Sequence, residues 1–196
     1  MDILYSLPGL LSAIVFHEFA HGYVAYLLGD DTAKEAGRLT LNPIKHLDLV
    51  GFLCMLVFRF GWAKAVPINP SRFKNRKRDT ILVSIAGVTT NFIIAIICAF
   101  ILRYAPITSR TVSIMIITGL WYNIMLGVFN LLPLPPLDGS KILASLLPNK
   151  WEYYFYKYER YFYFVLVLLI VTNTTSKIIG PIIDFILSLM IKIMSL

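Results

Sequence analysis

TILVSIAGVTTNFIIAIICAFIL, residues Thr80–Leu102, is a run of 23 residues without one formal charge. About 20 mostly apolar residues suffice for a helix to cross a bilayer, so this stretch reads as a transmembrane span. Just before it lie Arg72, Lys74, Arg76, Lys77 and Arg78, the basic excess that marks a cytoplasmic flank. No aromatic-interleaved basic surface accompanies these residues, so the net charge of +7 points to membrane orientation rather than to nucleic acid. If that loop is cytoplasmic, the span runs outward, Tyr104–Arg110 is the outer loop, and Val112–Leu132 returns inward. Lys141, Lys150, Lys157 and Arg160 then also fall on the inner side.

Composition agrees with this reading. Of the 196 residues, 58% are hydrophobic and only 15% charged, against roughly 45–50% and 25% in soluble domains, and the mean hydropathy is +0.73. A disordered chain, a coiled coil and a water-soluble globule are excluded on these figures. Cys54 and Cys98 lie in apolar runs, which excludes a disulfide scaffold.

Ile3–Leu28 is a further span. Its Met1-Asp2 head is not basic and no small-residue cleavage site follows, unlike a signal peptide. Leu49–Phe60 is too short to cross as a straight helix and suits a re-entrant segment. In the C-terminal third, Trp151–Arg160 has headgroup-boundary chemistry, Tyr161–Val171 is strongly apolar and Thr172–Lys177 is polar. Across Pro181–Leu196, the polar residues Asp184, Ser188, Lys192 and Ser195 form one stripe, fitting a helix that lies in the interface or packs that stripe inward. The expected fold is an all-α polytopic membrane protein of about four to five transmembrane helices, with a re-entrant, β-like segment around residues 38–69. Residues 1–150 are expected to form the functional core and residues 151–196 a set of membrane or interfacial helices.

Ionisable groups in hydrocarbon cost several kcal/mol and mark functional sites by default. Three acids sit in apolar sequence, Glu18, Asp138 and Asp184, and two of the three histidines, His17 and His21, flank Glu18. The segment His17-Glu18-Phe19-Ala20-His21 is H-E-x-x-H. On a helix the two imidazoles share a face one turn apart and can reach one metal ion, with Glu18 beside them as a general base. The blander reading is a polar cluster between helices. A catalytic zinc site usually needs a third protein ligand, and the candidates are His46, Asp48, Asp138 and Asp184. Asp138 lies past a span end in a Pro133/Pro135/Pro136 run that forbids regular helix, so the chain can turn its carboxylate back into the bundle. Alone, Leu137-Asp138-Gly139 reads equally as a turn before a helix over Ser140–Leu147.

Depth provides a test. His21 lies roughly 10 Å from the Leu28 end of its span, and Asn91 roughly 16 Å in from Thr80. If Leu49–Phe60 does not cross, His21, Asn91 and Asp138 all fall in the inner half; if it crosses, the first span inverts and His17 moves away from Asp138.

The H-E-x-x-H, the Ala86-Gly87-Val88-Thr89-Thr90-Asn91 stretch and Asn130-Leu-Leu-Pro-Leu-Pro-Pro-Leu-Asp138-Gly139 resemble, in order and spacing, the three signatures of the site-2 protease family of intramembrane zinc metalloproteases. The resemblance runs from about residue 7 to 147. Leu39–Asp48 is similar to the loop that follows the first catalytic helix in small bacterial members. It implies His17, His21 and Asp138 as zinc ligands, Glu18 as general base, and Gly87 and Asn91 as a G-x-x-x-N element lining the cleft. The implied substrates are transmembrane proteins, cut within or beside the bilayer near the cytoplasmic side of the cell membrane. The PDZ and CBS modules of larger relatives are not expected within these 196 residues.

An oxyanion donor is also expected, with Asn91 first and Asn130 second, although either can serve as a helix–helix hydrogen bond instead. The Arg38–Asn42 and Ala65–Asn69 runs are candidate edges for pairing with an unwound substrate. His46 reads as a loop residue. Two other readings compete: a metal- or proton-coupled transporter using His17, Glu18 and His21, for which no internal repeat is found, and an inactive scaffold, which the intact Glu18 opposes. An accessory membrane subunit or a homo-oligomer is compatible with the chain.

Overall fold

The computed structural model describes residues 3–58 and 61–195. Met1, Asp2, Arg59, Phe60 and Leu196 lie outside the described residues, and with them the ends of the expected Leu49–Phe60 and Pro181–Leu196 segments. Among the described residues are ten α-helices and no strand: α1 Ile3–Leu27, α2 Thr32–Glu35, α3 Pro43–His46, α4 Leu49–Phe58, α5 Arg76–Tyr104, α6 Arg110–Asn130, α7 Asp138–Leu146, α8 Asn149–Lys157, α9 Glu159–Val171 and α10 Thr174–Ser195. Four of these, α1, α5, α6 and α10, are long and apolar enough to cross a membrane. The chain is an all-α polytopic membrane protein.

Three of the four form the central bundle, α1 packing on both α5 and α6 and these two on each other. Small residues allow the close approach. A Cβ at Gly9 would lie 2.5 Å from the Gly119 backbone nitrogen, so α1 and α6 meet backbone to backbone, as small-residue contacts permit in membranes. Local chemistry sets the ends. Asn75 caps α5 by accepting from Arg78 N–H, Ser109 caps α6 by accepting from Val112 N–H, and the three prolines after Leu132 keep α6 from continuing. The chain restarts as α7 at Asp138.

The loop region bears out the short reading of Leu49 onward. Helix α4 has ten residues, about 15 Å at 1.5 Å per residue, half of a hydrocarbon core. Among the described residues, the β-like character expected around residues 38–69 reduces to one isolated antiparallel bridge, Leu47 with Ala63. The two candidate edge runs do not pair with each other: Arg38 reaches across through its side chain, donating from Nη2 to the Lys64 carbonyl at 2.6 Å. The whole excursion starts and ends at the same end of the bundle. There Ala25 of α1 packs with Phe73 and with Val83 of α5, Lys77 donates to the Leu147 carbonyl, and Arg76 pairs with Glu152 of α8.

Helix α10 begins earlier than the sequence pattern suggests, at Thr174, after a turn in which Asn173 takes a left-handed φ of 57°. Its apolar side, Ile179 and Ile183 with Ile186, Leu187 and Met190, packs on Ala95, Ala99, Leu120, Ile124 and Val128. The polar stripe does not turn inward: Asp184, Ser188 and Lys192 are exposed, facing away from the bundle. Asp184 is therefore not one of the residues gathered at the centre.

Candidate metal centre

Helix α1 places His17 and His21 on one face, both buried, where α5 and the start of α7 meet it. Asp138 Oδ2 lies 3.1 Å from His17 Nε2 and 2.9 Å from His21 Nε2, and the two Nε2 atoms are 2.9 Å apart. Of the third-ligand candidates, the structure brings only Asp138 to the pair. His46 is buried elsewhere, its Nε2 donating to the Thr40 carbonyl at 2.7 Å, and Asp48 caps Gly51 N–H at 2.8 Å.

The outer nitrogens of the imidazoles fix what the inner ones can do. His21 Nδ1 faces the Val83 carbonyl at 2.7 Å, and a carbonyl only accepts, so Nδ1 carries the proton. His17 Nδ1 lies 2.6 Å from Asn91 Oδ1. That oxygen is identified by its amide partner, since Asn91 Nδ2 donates to the Ala13 carbonyl and to Asn123 Oδ1, each at 3.0 Å. Asn123 in turn donates to the Gly119 carbonyl at 2.8 Å. Both rings therefore hold a proton outward. Two Nε2–H groups cannot face each other at 2.9 Å, and two bare lone pairs beside a carboxylate oxygen repel. A cation shared among the three atoms, either one added proton or a metal ion, removes the repulsion. For tetrahedral zinc with ligands at about 2.0–2.1 Å, the ligand atoms lie roughly 3.3 Å apart, so a few tenths of an ångström of adjustment suffices. The donor set, two neutral imidazoles oriented by carbonyl acceptors plus one carboxylate, fits zinc.

Asp138 is suited to the anionic place. Lys141 Nζ lies 3.0 Å from its Oδ1, a cation that favours the ionised carboxylate. Glu18, half-buried on the same turn of α1, accepts from Val66 N–H at 2.8 Å. Gly87 presents its bare face to the rings: a Cβ there would lie 2.5 Å from His21 Nε2 and 2.8 Å from His17 Cε1.

Two expectations change. Asn91 is fully buried and its oxygen and both amide hydrogens are engaged, so it orients His17 rather than offering an oxyanion donor. Asn130 is not at the group at all; its amide donates one turn back along α6, to the Leu126 carbonyl at 3.0 Å. Sequence reasoning missed Asn123, Lys141, the Val83 carbonyl and the Val66 N–H. Asn123 left a signal, an amide in the middle of a span; the backbone groups leave none.

Compared with known proteins, the chain is 42% identical over 183 residues to YwhC of Bacillus subtilis, named as a candidate zinc metalloprotease, covering 89% of this chain and 84% of that one. Residues 105–172 match Peptidase family M50. The chain belongs to peptidase family M50. That family is the site-2 protease group, so this M50 chain is a zinc metalloprotease of the membrane. Rip2 of Mycolicibacterium smegmatis, again named as a candidate zinc metalloprotease, is 30% identical over 149 residues, 72% of this chain and 56% of that one. Zinc metalloprotease MJ0392 of Methanocaldococcus jannaschii is 29% identical over 144 residues, 74% of this chain but only 34% of its own length. This M50 chain thus spans about half and a third of those two longer relatives. No solved structure matches it.

Proposed function

We propose that this chain hydrolyses peptide bonds in or next to transmembrane segments of membrane proteins, with His17, His21 and Asp138 holding zinc and Glu18 as the general base. The observation that carries this reading is the convergence of both Nε2 atoms and Asp138 Oδ2 within 2.9–3.1 Å, inside a bundle of helices long enough to cross a bilayer. A zinc ion bound there supplies Lewis acidity, bringing water toward a neutral pKa and polarising a peptide carbonyl.

The chain's own residues do the rest. Asn91 and the Val83 carbonyl keep the two rings in the tautomer that directs Nε2 inward. The Val66 N–H fixes one oxygen of Glu18, so the carboxylate is positioned to take a proton from the attacking water and to return it to the leaving amine. A helical substrate must unwind before its carbonyl can be reached, and the Ala65–Asn69 run beside Glu18 is the edge we assign to the unwound stretch.

The enzyme lies in the cell membrane with its active site toward the cytoplasm. Supporting this, Arg72, Lys74, Arg76, Lys77 and Arg78 cluster at the end of the bundle to which Asp138 belongs. Residues 1–150 constitute the catalytic core. Residues 151–196 form membrane and interfacial helices, whose exposed Asp184 and Ser188 offer a face to an accessory subunit or a second copy.

The test compares purified wild-type protein with Glu18→Gln on a model transmembrane substrate. The variant keeps zinc and loses turnover by the roughly 10²–10⁴-fold expected for a general base. Equal cleavage by both forms refutes the mechanism; a wild-type protein that binds no zinc at neutral pH refutes the ligand assignment.

A further inference from the structure

A cavity of about 200 Å³ is lined by Val66, Ile68, Pro70, Phe73, Thr80, Val83, Ser84 and Lys141. Three of its wall residues each hold a different member of the proposed catalytic group. Val66 N–H donates to Glu18, the Val83 carbonyl accepts from His21, and Lys141 Nζ contacts Asp138. The cavity is thus continuous in its framework with the metal centre. Thr80, Val83 and Ser84 precede Gly87 on α5 by three to seven residues, which places the cavity roughly 4–10 Å from the ligand group toward the N-terminal end of that helix.

Its size and lining are selective. Pockets that enclose whole small-molecule ligands run to roughly 300–1,000 Å³, so this one has room for a single large side chain. Val66, Ile68, Phe73 and Val83 supply apolar walls, of which Val66, Phe73 and Val83 are buried. The stem of Lys141 adds methylenes while its ammonium is held on Asp138, as long basic side chains commonly do. Val66 and Ile68 are alternate residues of the segment that carries the N–H bound to Glu18, so a peptide drawn alongside that segment passes the mouth of the cavity as it reaches the general base.

We propose that this cavity is the specificity pocket of the enzyme, taking one apolar side chain of leucine, methionine or phenylalanine size from the substrate residue just to the cytoplasmic side of the cut bond. This rests on the protease reading above. A pocket of this kind discriminates by volume, at about 10–200-fold in kcat/KM for a methylene gained or lost.

The experiment uses the full chain, zinc-loaded and reconstituted, with a set of model transmembrane substrates differing only at the residue next to the mapped cut: Ala, Leu, Phe or Trp. Two variants change the pocket in opposite directions: Thr80→Phe fills it and Ile68→Ala enlarges it. Wild type is expected to cut the Leu and Phe substrates at least about tenfold better than Ala. Thr80→Phe shifts the preference to Ala by a similar factor, and Ile68→Ala raises Trp relative to Leu. A substitution that only loosened the fold would lower all four rates together, and zinc stoichiometry reports separately that the centre is intact. An unchanged rank order in variants that still cleave overturns the pocket alone. A zinc-loaded wild type that cuts none of the four overturns the protease reading and the pocket with it.

Discussion

Gly87→Ala adds one methyl group where α5 faces both imidazole rings. The new Cβ would lie 2.5 Å from His21 Nε2, 2.6 Å from His21 Cε1 and 2.8 Å from His17 Cε1. Ordinary van der Waals contact begins at 3.4 Å, so His21 must retreat by about 0.9 Å or α5 must move away from α1. Neither is free to do so. His21 is tied through Nδ1 to Val83 on the same helix α5, and His17 through Nδ1 to Asn91, also on α5. Moving the helix carries the ring anchors with it; moving the rings breaks their anchors. A misplacement of about 1 Å at a reacting centre costs on the order of 10²-fold in rate, and losing a ring's outer partner costs about 10–100-fold in metal affinity. We expect Gly87→Ala to bind zinc at least about tenfold more weakly, measured by chelator competition, and to cleave about 10²-fold more slowly at saturating zinc. The fold survives, because the clash is confined to one methyl. A variant matching wild type in both zinc affinity and turnover would refute the assignment of these rings to one ion.

Asn91→Ala should weaken zinc binding by about 10–100-fold, and Asn123→Leu, one hydrogen bond further out, by less, both read by the same competition assay. Gly9→Leu should separate α1 from α6 at their backbone contact and destabilise the bundle by about 1–3 kcal/mol or more, visible as a lower thermal midpoint. Burial pushes the Glu152 carboxyl up, but Arg76 and Lys77 outweigh this and hold it below the ordinary glutamate range. A carboxyl depressed in the folded state stabilises at neutral pH and loses that contribution as pH falls through its folded value. The gap in thermal midpoint between wild type and Glu152→Gln should therefore be open at pH 7 and close as the pH falls below about 4.

Periodicity and length made the spans legible. Thr80–Leu102 falls within α5 and all but the last two residues of Val112–Leu132 fall within α6, because an apolar run of that length has one stable form in a bilayer. The C-terminal stretch was harder because its pattern is set by what it touches. Polar Thr172–Lys177 reads as a break, and only the Thr172–Asn173 turn realises it. From Thr174 the chain is helical through Pro181, held by Ile179 and Ile183 against Ala95 and Ala99. No local signal in Thr174–Gly180 announces that contact, since the decisive alanines lie about 80 residues earlier.

At the centre, the proposed ligands were legible and their supports were not, and the difference is chemical. An ionisable side chain in apolar sequence stands out because it is costly there unless it has a task, so His17, Glu18, His21 and Asp138 can be found by scanning. The groups that orient them are largely backbone: the Val83 carbonyl for His21 and the Val66 N–H for Glu18, which every residue type possesses. Asn91 lies between these cases. Its place in the G-x-x-x-N stretch marks it as functional, but its task depends on which of its atoms faces the ring. The Ala13 carbonyl and Asn123 Oδ1 take both hydrogens of its amide, leaving only the oxygen for His17. An amide spent in that way cannot also donate to a developing oxyanion. The same three bonds that occupy Asn91 keep the outer proton of His17 on Nδ1, so Nε2 is the nitrogen left to face Asp138 and His21 and the one a metal ion would take.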